Sequence, residues 1–298
     1  MKAQTRLRLP VATIKATAPA KVNLTLHVTG QRDDGYHLLD SLVVFADVCD
    51  QLSATTAPDL KINVSGPFSP GVPSDDSNLM MRAALALQQA RGVELGAALT
   101  LEKHLPHAAG IGSGSSDAAL TLAMLAELWD VAPLPADAPE VVALGADVPV
   151  CLQAPAPTRM TGIGETLSPV SRLPDCALVM VRPPVDVPTA DVFKGLANRD
   201  GSAMDDLPDG LDYDGFAAWL AAQRNDLQSS AQTIAPAIAE VISALQAQPA
   251  VSFAGMSGSG ATCFGLVKDM ATARQIARIV QVAHMNWWVA PAALLQPA

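Results

Sequence analysis

"PHAAGIGSGSSDAALTLAML", Pro106 to Leu125, decides how this chain is read. Gly110, Gly112 and Gly114 alternate with other residues; Ser115, Ser116 and Asp117 follow; an apolar run closes the stretch. Glycine opens backbone conformations closed to other residues and lets a ligand approach the main chain. Ser115, Ser116 and Asp117 are residue types that start helices. Leu120, Met124 and Leu128 recur at spacing four, with Leu122 and Leu125 beside them, which predicts a helix over 118–129. A glycine loop that opens a helix presents unpaired backbone N–H groups at the positive end of the helix dipole, where an anion binds. The same residues also make a plain strand-to-helix turn, and the stretch alone leaves both open.

The chain around it has 298 residues, half of them apolar, enough for two domains and a large core. A formal net charge of −10 argues against general binding to nucleic acid or to anionic membranes. It leaves room for an anionic small molecule, because local lysines and helix ends override the mean field. Cys49, Cys151, Cys176 and Cys263 are far apart, with no CxxC pair, which predicts free thiols in a reducing compartment. The N-terminal "MKAQTRLRLPVATIKA" carries positive charge without a continuous apolar segment, so no secretory leader is expected. No membrane span is expected either. The expected setting is the cytoplasm.

Outward from the loop, residues 14–64 read as strands and turns. "KVNLTLHV" (21–28) alternates Val22, Leu24, Leu26 and Val28 on one face; "RDDGYH" (32–37) is a turn; "SLVVFADV" (41–48) and "LKINVSG" (60–66) are strands. A helix over 77–92 has Ser77 as cap and Gly92 as stop, and 98–106 returns as a strand. "DAPEVVALGADVPVCL" (137–152) holds a short helix, a glycine turn and an apolar segment. The proline-rich "QAPAPTRM" (153–160) marks a boundary, which divides the chain into 1–157 and 158–298. Beyond it come a strand (176–183), helices over 210–223 and 231–248, a strand–turn–strand (251–267), a helix (272–283) and a last strand (287–294), which could pack back on the first domain. Strands and helices mix in both halves without strict alternation, which predicts a two-domain α+β protein.

Common phosphate and hydrolase motifs are missing. There is no GxxxxGK[ST], no strict GxGxxG and no GxSxG, and the five histidines form no HExxH. Three segments stand out instead: "APAKVNLTLHVTGQRDDGYH" (18–37), the glycine loop, and "GMSGSGAT" (255–262). Each has an ordinary reading by itself. Lys21 could be a solvated strand end, Asp147 a helix cap or turn residue, and "GMSGSGAT" a hairpin turn. Taken in order with "LGADVPV" (144–150) and "NDL" (225–227), they resemble the GHMP kinases, the galacto-, homoserine, mevalonate and phosphomevalonate kinases and their relatives. The resemblance runs from about Ala18 to Thr262.

The resemblance implies a two-domain GHMP kinase-like fold with its active site in the cleft between the domains. It implies ATP with Mg²⁺ as cofactors and phosphoryl transfer to a small-molecule substrate carrying cytidine diphosphate. Lys21 matches the family's active-site lysine, and Asp147 its catalytic aspartate, which orients and deprotonates the attacking hydroxyl. Gly110, Ile111, Gly112, Ser113, Gly114, Ser115 and Ser116 match the loop that holds the ATP phosphates. Ser113 departs from the family, which usually has glycine there; serine would be strained if that position needs positive φ. Asn78 and Lys103 match positions near adenine and phosphates. Asn23, Tyr36 and His37 match substrate-contacting positions, with Tyr36 stacking on the pyrimidine and His37 bonding its polar edge. Thr189 and Phe193, in "PTADVFKGL", match a Thr-x-x-x-Phe segment, and Gly258, Ser259 and Gly260 border the site. The resemblance implies no nucleic-acid or membrane partner, and either a monomer or a homodimer. Two other readings stand beside it: a family member acting on homoserine or a mevalonate derivative, and an inactive relative that only binds ligands.

Overall fold

The computed structural model describes residues 12–297, so most of the N-terminal stretch read for a leader lies outside the described residues. In chain order the first half forms β1 (Thr13–Asn23), β2 (His27–Gln31), β3 (His37–Ala57), β4 (Lys61–Ser65), α1 (Leu79–Arg91), β5 (Gly96–Glu102), α2 (Ser113–Leu128), α3 (Pro139–Val142) and α4 (Val148–Cys151). There follow β6 (Thr158–Gly162), β7 (Thr166–Pro169), β8 (Ala177–Arg182), α5 (Thr189–Lys194), α6 (Tyr213–Ala222), α7 (Gln228–Ile234), α8 (Ala237–Gln246), β9 (Phe253–Met256), β10 (Cys263–Val267), α9 (Met270–Ala283) and β11 (Trp288–Leu295). Helix and sheet mix in both halves, as expected of an α+β protein. Among the described residues no helix is long and apolar enough to cross a membrane.

The sheet runs β4-β5-β3-β11-β8-β10-β9, with β1, β2 and β6 also paired to β3. The 21-residue β3 is its spine. β11 pairs with β8 through Trp288–Ala293 and with β3 through Leu294 and Leu295, so the C-terminal strand joins the strands of the two halves. Among the described residues the core forms three apolar clusters. One packs α1 and α2 on β1, β3 and β5. A second packs α7, α8 and α9 on β8–β10. The third, with Val22, Val44, Met180, Phe216 and Phe264, takes side chains from both halves.

Local departures from the sequence reading have physical causes. "KVNLTLHV" is the end of β1 and the start of β2, broken where Leu26 donates its N–H to Arg224 O. Val22, Leu24, Leu26 and Val28 are buried as expected, but so are Lys21, Asn23, Thr25 and His27 between them. The polar face of this strand meets protein rather than water. Asn78, not Ser77, caps α1: its Oδ1 accepts from Met80 N at 2.9 Å. Gly92 ends that helix at φ +63°, as the sequence predicts. α2 begins at Ser113, earlier than its serine and aspartate cap types suggest, and Ser115, Ser116 and Asp117 lie inside it. Its buried face runs through Ala118, Leu122 and Leu125, while Leu120 and Leu128 are half-buried. The single helix expected over 231–248 is two, α7 and α8, because Pro236 between them has no N–H to continue the ladder.

Candidate active site

The glycine loop and α2 form one side of the site. Gly112 caps α2 in the left-handed region at φ +57°, and Gly110 sits at +74°. Both need glycine for space as well. A Cβ on Gly110 would come within 2.5 Å of Ser257 O, and one on Gly112 within 2.8 Å of Lys21 Cε. Ser113 is the first residue of α2 and has no positive φ; its buried hydroxyl lies 3.4 Å from Pro106 O. The strain considered for serine at this position does not arise. Gly114 faces open space, with nothing within 4 Å of a built Cβ. The N–H groups of α2's first turn have no helical acceptor and open on the cleft. Ile111 contributes main chain only: its side chain is fully buried and its carbonyl accepts from Lys21 N at 3.0 Å. Ser116 is buried inside α2 and does not line the cleft.

Across the loop, Lys21 Nζ lies 2.8 Å from Asn23 Oδ1 and 3.0 Å from Asp147 Oδ2. Asp147 stands at the cap position of α4, yet its side chain caps nothing there. It turns instead to Lys21 and keeps 36% of its surface open, while the lysine keeps 4%. Asn23 is held from its other end by Ser41 Oγ at 2.8 Å. The β9–β10 turn closes against the first loop. Ser257 Oγ donates to Gly110 O at 2.8 Å and accepts from Asn23 N at 3.0 Å. Gly258 and Gly260 both have positive φ, and a Cβ on Gly258 would come within 3.0 Å of Gly110 O. Ser259 and Thr189 share a 2.8 Å hydrogen bond between hydroxyls.

Lys103 lies deeper. Only 2% exposed, its ammonium bonds Asp50 at 2.6 Å and Asp117 at 2.5 Å. Asp50 also accepts from His104 N and Leu105 N, so this cluster fixes the strand end before the loop to the helix after it. Asp117 Oδ1 is buried without a partner, and burial, with Asp50 adding to it against Lys103, raises the Asp117 carboxyl to about 7. Asn78 spends both ends of its amide on its own surroundings, bonding Pro73 O and capping α1.

The far wall is aromatic. His37 and Phe193 stack with ring centroids 4.8 Å apart, inclined by 26°. His37 Nε2 is buried without a partner. Burial, then the charge of Arg199, pushes the His37 pKa down, so its ring is neutral at pH 7. Tyr36, beside it, is 59% exposed. One cleft of about 1180 Å³ is lined by Lys21, Asn23, Asp147, residues of both glycine loops, Thr189, Tyr36, His37 and Phe193. Two residues that the sequence reading did not single out hold or flank it. Asn225 Nδ2 bonds Met256 O at 2.7 Å and Gly258 O at 2.9 Å, which clamps the second glycine turn. "NDL" was visible, but a role for its asparagine was not. Arg199 lines the cleft from an irregular segment that carries no sequence signal.

Two family models match the chain: GHMP kinases N terminal domain over residues 78–156 and GHMP kinases C terminal over 207–285. A 4-diphosphocytidyl-2-C-methyl-D-erythritol kinase of Cereibacter sphaeroides is 54% identical, covering 94% of this chain and 99% of its own. One of Dinoroseobacter shibae is 52% identical, covering 94% and 95%. Among solved structures, a 4-(cytidine 5'-diphospho)-2C-methyl-D-erythritol kinase superposes with a TM-score of 0.77 at 31% identity, over 95% of this chain and 100% of that one. The homoserine kinase of Cytophaga hutchinsonii, at 16% identity and a TM-score of 0.64 over 95% and 96%, shares the fold.

Proposed function

The chain belongs to the GHMP kinase family, and from that we propose that it moves the γ-phosphoryl group of ATP to the 2-hydroxyl of 4-diphosphocytidyl-2-C-methyl-D-erythritol, yielding the 2-phosphate and ADP for isoprenoid precursor synthesis. The observation that carries this is one cleft lined by an anion-binding helix start, a stacked His37–Phe193 pair, and the Lys21–Asp147 pair.

The chemistry follows from the groups present. Phosphoryl transfer needs positioning and charge stabilisation more than covalent help. The N–H groups at Ser113, Gly114 and Ser115 take the phosphates at the helix start. Asp147 accepts the hydroxyl proton as the acceptor oxygen bonds to phosphorus and the bond to ADP breaks. Lys21 holds its positive charge 3.0 Å from that carboxylate, where the transferring group passes. Asn23 fixes the ammonium, and Asn225 with Ser257 fixes the turn behind it. Lys103 acts beneath the loop, through Asp50 and Asp117, rather than by reaching out. His37, neutral and with an unpartnered nitrogen, offers cytosine a hydrogen bond; Phe193 and Tyr36 offer it stacking faces.

Among the described residues no group of three or more His, Cys, Asp or Glu is placed to hold a metal ion. The Ser115 hydroxyl lines the cleft at the loop, beside where the phosphates of bound ATP would supply oxygen donors. Such a set would suit Mg²⁺ that keeps most of its waters and comes with the nucleotide, where it would neutralise phosphate charge. Four free thiols fit work in the cytoplasm. The test is ADP release by purified protein with ATP and Mg²⁺, comparing the cytidine substrate with homoserine and mevalonate. Turnover of the first alone supports the assignment. Turnover of another acceptor, or of none, refutes it.

A further inference from the structure

Among the described residues four lysine and arginine side chains line the cleft, and three are matched to acids. Lys21 faces Asp147, Lys103 faces Asp50 and Asp117, and Lys194 lies 3.1 Å from Asp191. Arg199 is the fourth. Among the described residues its hydrogen bond is a long one, 3.4 Å from Nη1 to Gln31 Oε1, and no carboxylate lies within ion-pair distance. In a chain of net charge −10, a guanidinium left unneutralised on a cleft wall is a binding group for an anion.

Its place is fixed from both sides. Leu196 is buried on one side of Arg199. On the other, Gly201 N donates to Val28 O at 3.0 Å, and a Cβ on Gly201 would come within 2.8 Å of both that oxygen and Arg224 Nη2. The segment is therefore tied to β2, which leads into the turn carrying Tyr36 and His37. Phe193, six residues before Arg199, stacks on His37. The charge of Arg199 is felt at His37, where it adds to burial in lowering the histidine's pKa. The stacking faces and the guanidinium thus sit on adjoining segments of the cleft lining.

Resting on the reading above, we propose that Arg199 binds the diphosphate of the acceptor substrate and makes the protein select a cytidine diphosphate over an uncharged cytidine. The planar fork of guanidinium donors matches phosphate oxygens two at a time, which a lysine ammonium cannot do. Arg199 is a binding residue in this account and takes no part in the chemical step.

The experiment compares wild type, Arg199→Gln and Arg199→Lys. It measures inhibition by CDP and by cytidine against the acceptor substrate, with ATP KM and thermal midpoint as controls. Wild type should prefer CDP by about 10- to 100-fold, the range expected of a charge-assisted hydrogen-bonded pair. Arg199→Gln should lose most of that preference and raise the acceptor KM similarly, with ATP KM and thermal midpoint unmoved. Arg199→Lys should fall between. An unchanged CDP-to-cytidine ratio in Arg199→Gln overturns the role of Arg199 while the kinase assignment stands. An equal rise in ATP KM also overturns it, because the charge would then serve the donor nucleotide. Failure of wild type to turn over the cytidine substrate removes the assignment and, with it, this role.

Discussion

Gly112 and Gly114 are two positions apart, and replacing them should fail in different ways. Gly112 has φ +57° and no room beside Lys21, so Gly112→Val disturbs both the backbone and the active-site lysine. It should lower the thermal midpoint and abolish turnover together. Gly114 sits in helical backbone with open space where a side chain would go. Gly114→Val should leave the thermal midpoint at or near wild type while raising the ATP KM about tenfold or more, as loss of one charge-assisted hydrogen bond to phosphate does. A Gly114→Val enzyme with normal ATP KM would place the phosphates elsewhere. Asp147→Asn keeps the shape of the side chain and removes the base; kcat should fall by about 10²–10⁴-fold with ATP KM little changed, and near-normal kcat would strip Asp147 of its role. At this scale the sequence spoke through family resemblance. Composition and spacing identified neither Lys21 nor Asp147, because a lone lysine on a strand and an aspartate before a short helix are ordinary. Nor could they expose Arg199, whose significance is an absent carboxylate partner, a fact of three dimensions.

At the scale of elements, the loop–helix unit rests on the buried Lys103–Asp50–Asp117 cluster. Burial raises the Asp117 carboxyl to about 7, well above its ordinary value. Between about pH 4 and pH 7 the folded protein therefore holds a proton on this group that the unfolded chain has released. Stability from this source falls as pH rises through that window and levels off above it. Asp117→Asn mimics the protonated group, donating to Asp50 while accepting from Lys103. Its thermal midpoint should depend less on pH between 5 and 8 than that of wild type. Parallel curves for the two proteins would show that Asp117 does not titrate there. Asn225→Ala should act on the other loop, freeing the carbonyls of Met256 and Gly258 from their clamp. Acceptor turnover should drop while secondary structure by circular dichroism stays intact; unchanged turnover would reduce Asn225 to a packing residue. Elements with strong local rules were legible in the sequence: α1 up to its Gly92 stop, although its cap is Asn78 rather than the expected Ser77, and the glycine turn between β9 and β10. The break between β1 and β2 was not, since Leu26 donates its N–H to Arg224 O and bridges to Asn225, nearly two hundred residues away. The short α5, β6 and β7 were not read as elements either, being too brief to show a period.

At the scale of the molecule, the α+β mixture was readable from the alternation of apolar periods, while the path of the sheet was not. β3 is a single long strand that forms a local hairpin with β2 and pairs also with β1, β5, β6 and β11, the last returning to it from about 240 residues on. Such pairings depend on shape complementarity between remote segments, which no local pattern encodes. Their consequence is functional: they hold the glycine loop, the Lys21–Asp147 pair and the His37–Phe193 wall around one cleft. The central claim is that this cleft brings ATP and a cytidine diphosphate substrate together at Asp147. The most direct measurement is ³¹P NMR of the purified protein with ATP, Mg²⁺ and 4-diphosphocytidyl-2-C-methyl-D-erythritol. One new phosphomonoester signal on the methylerythritol C2 oxygen should grow in step with ADP while the substrate's diphosphate signals persist, and should grow about 10²–10⁴-fold more slowly with Asp147→Asn. ADP without a phosphomonoester on the substrate, or phosphate at another oxygen, would contradict it.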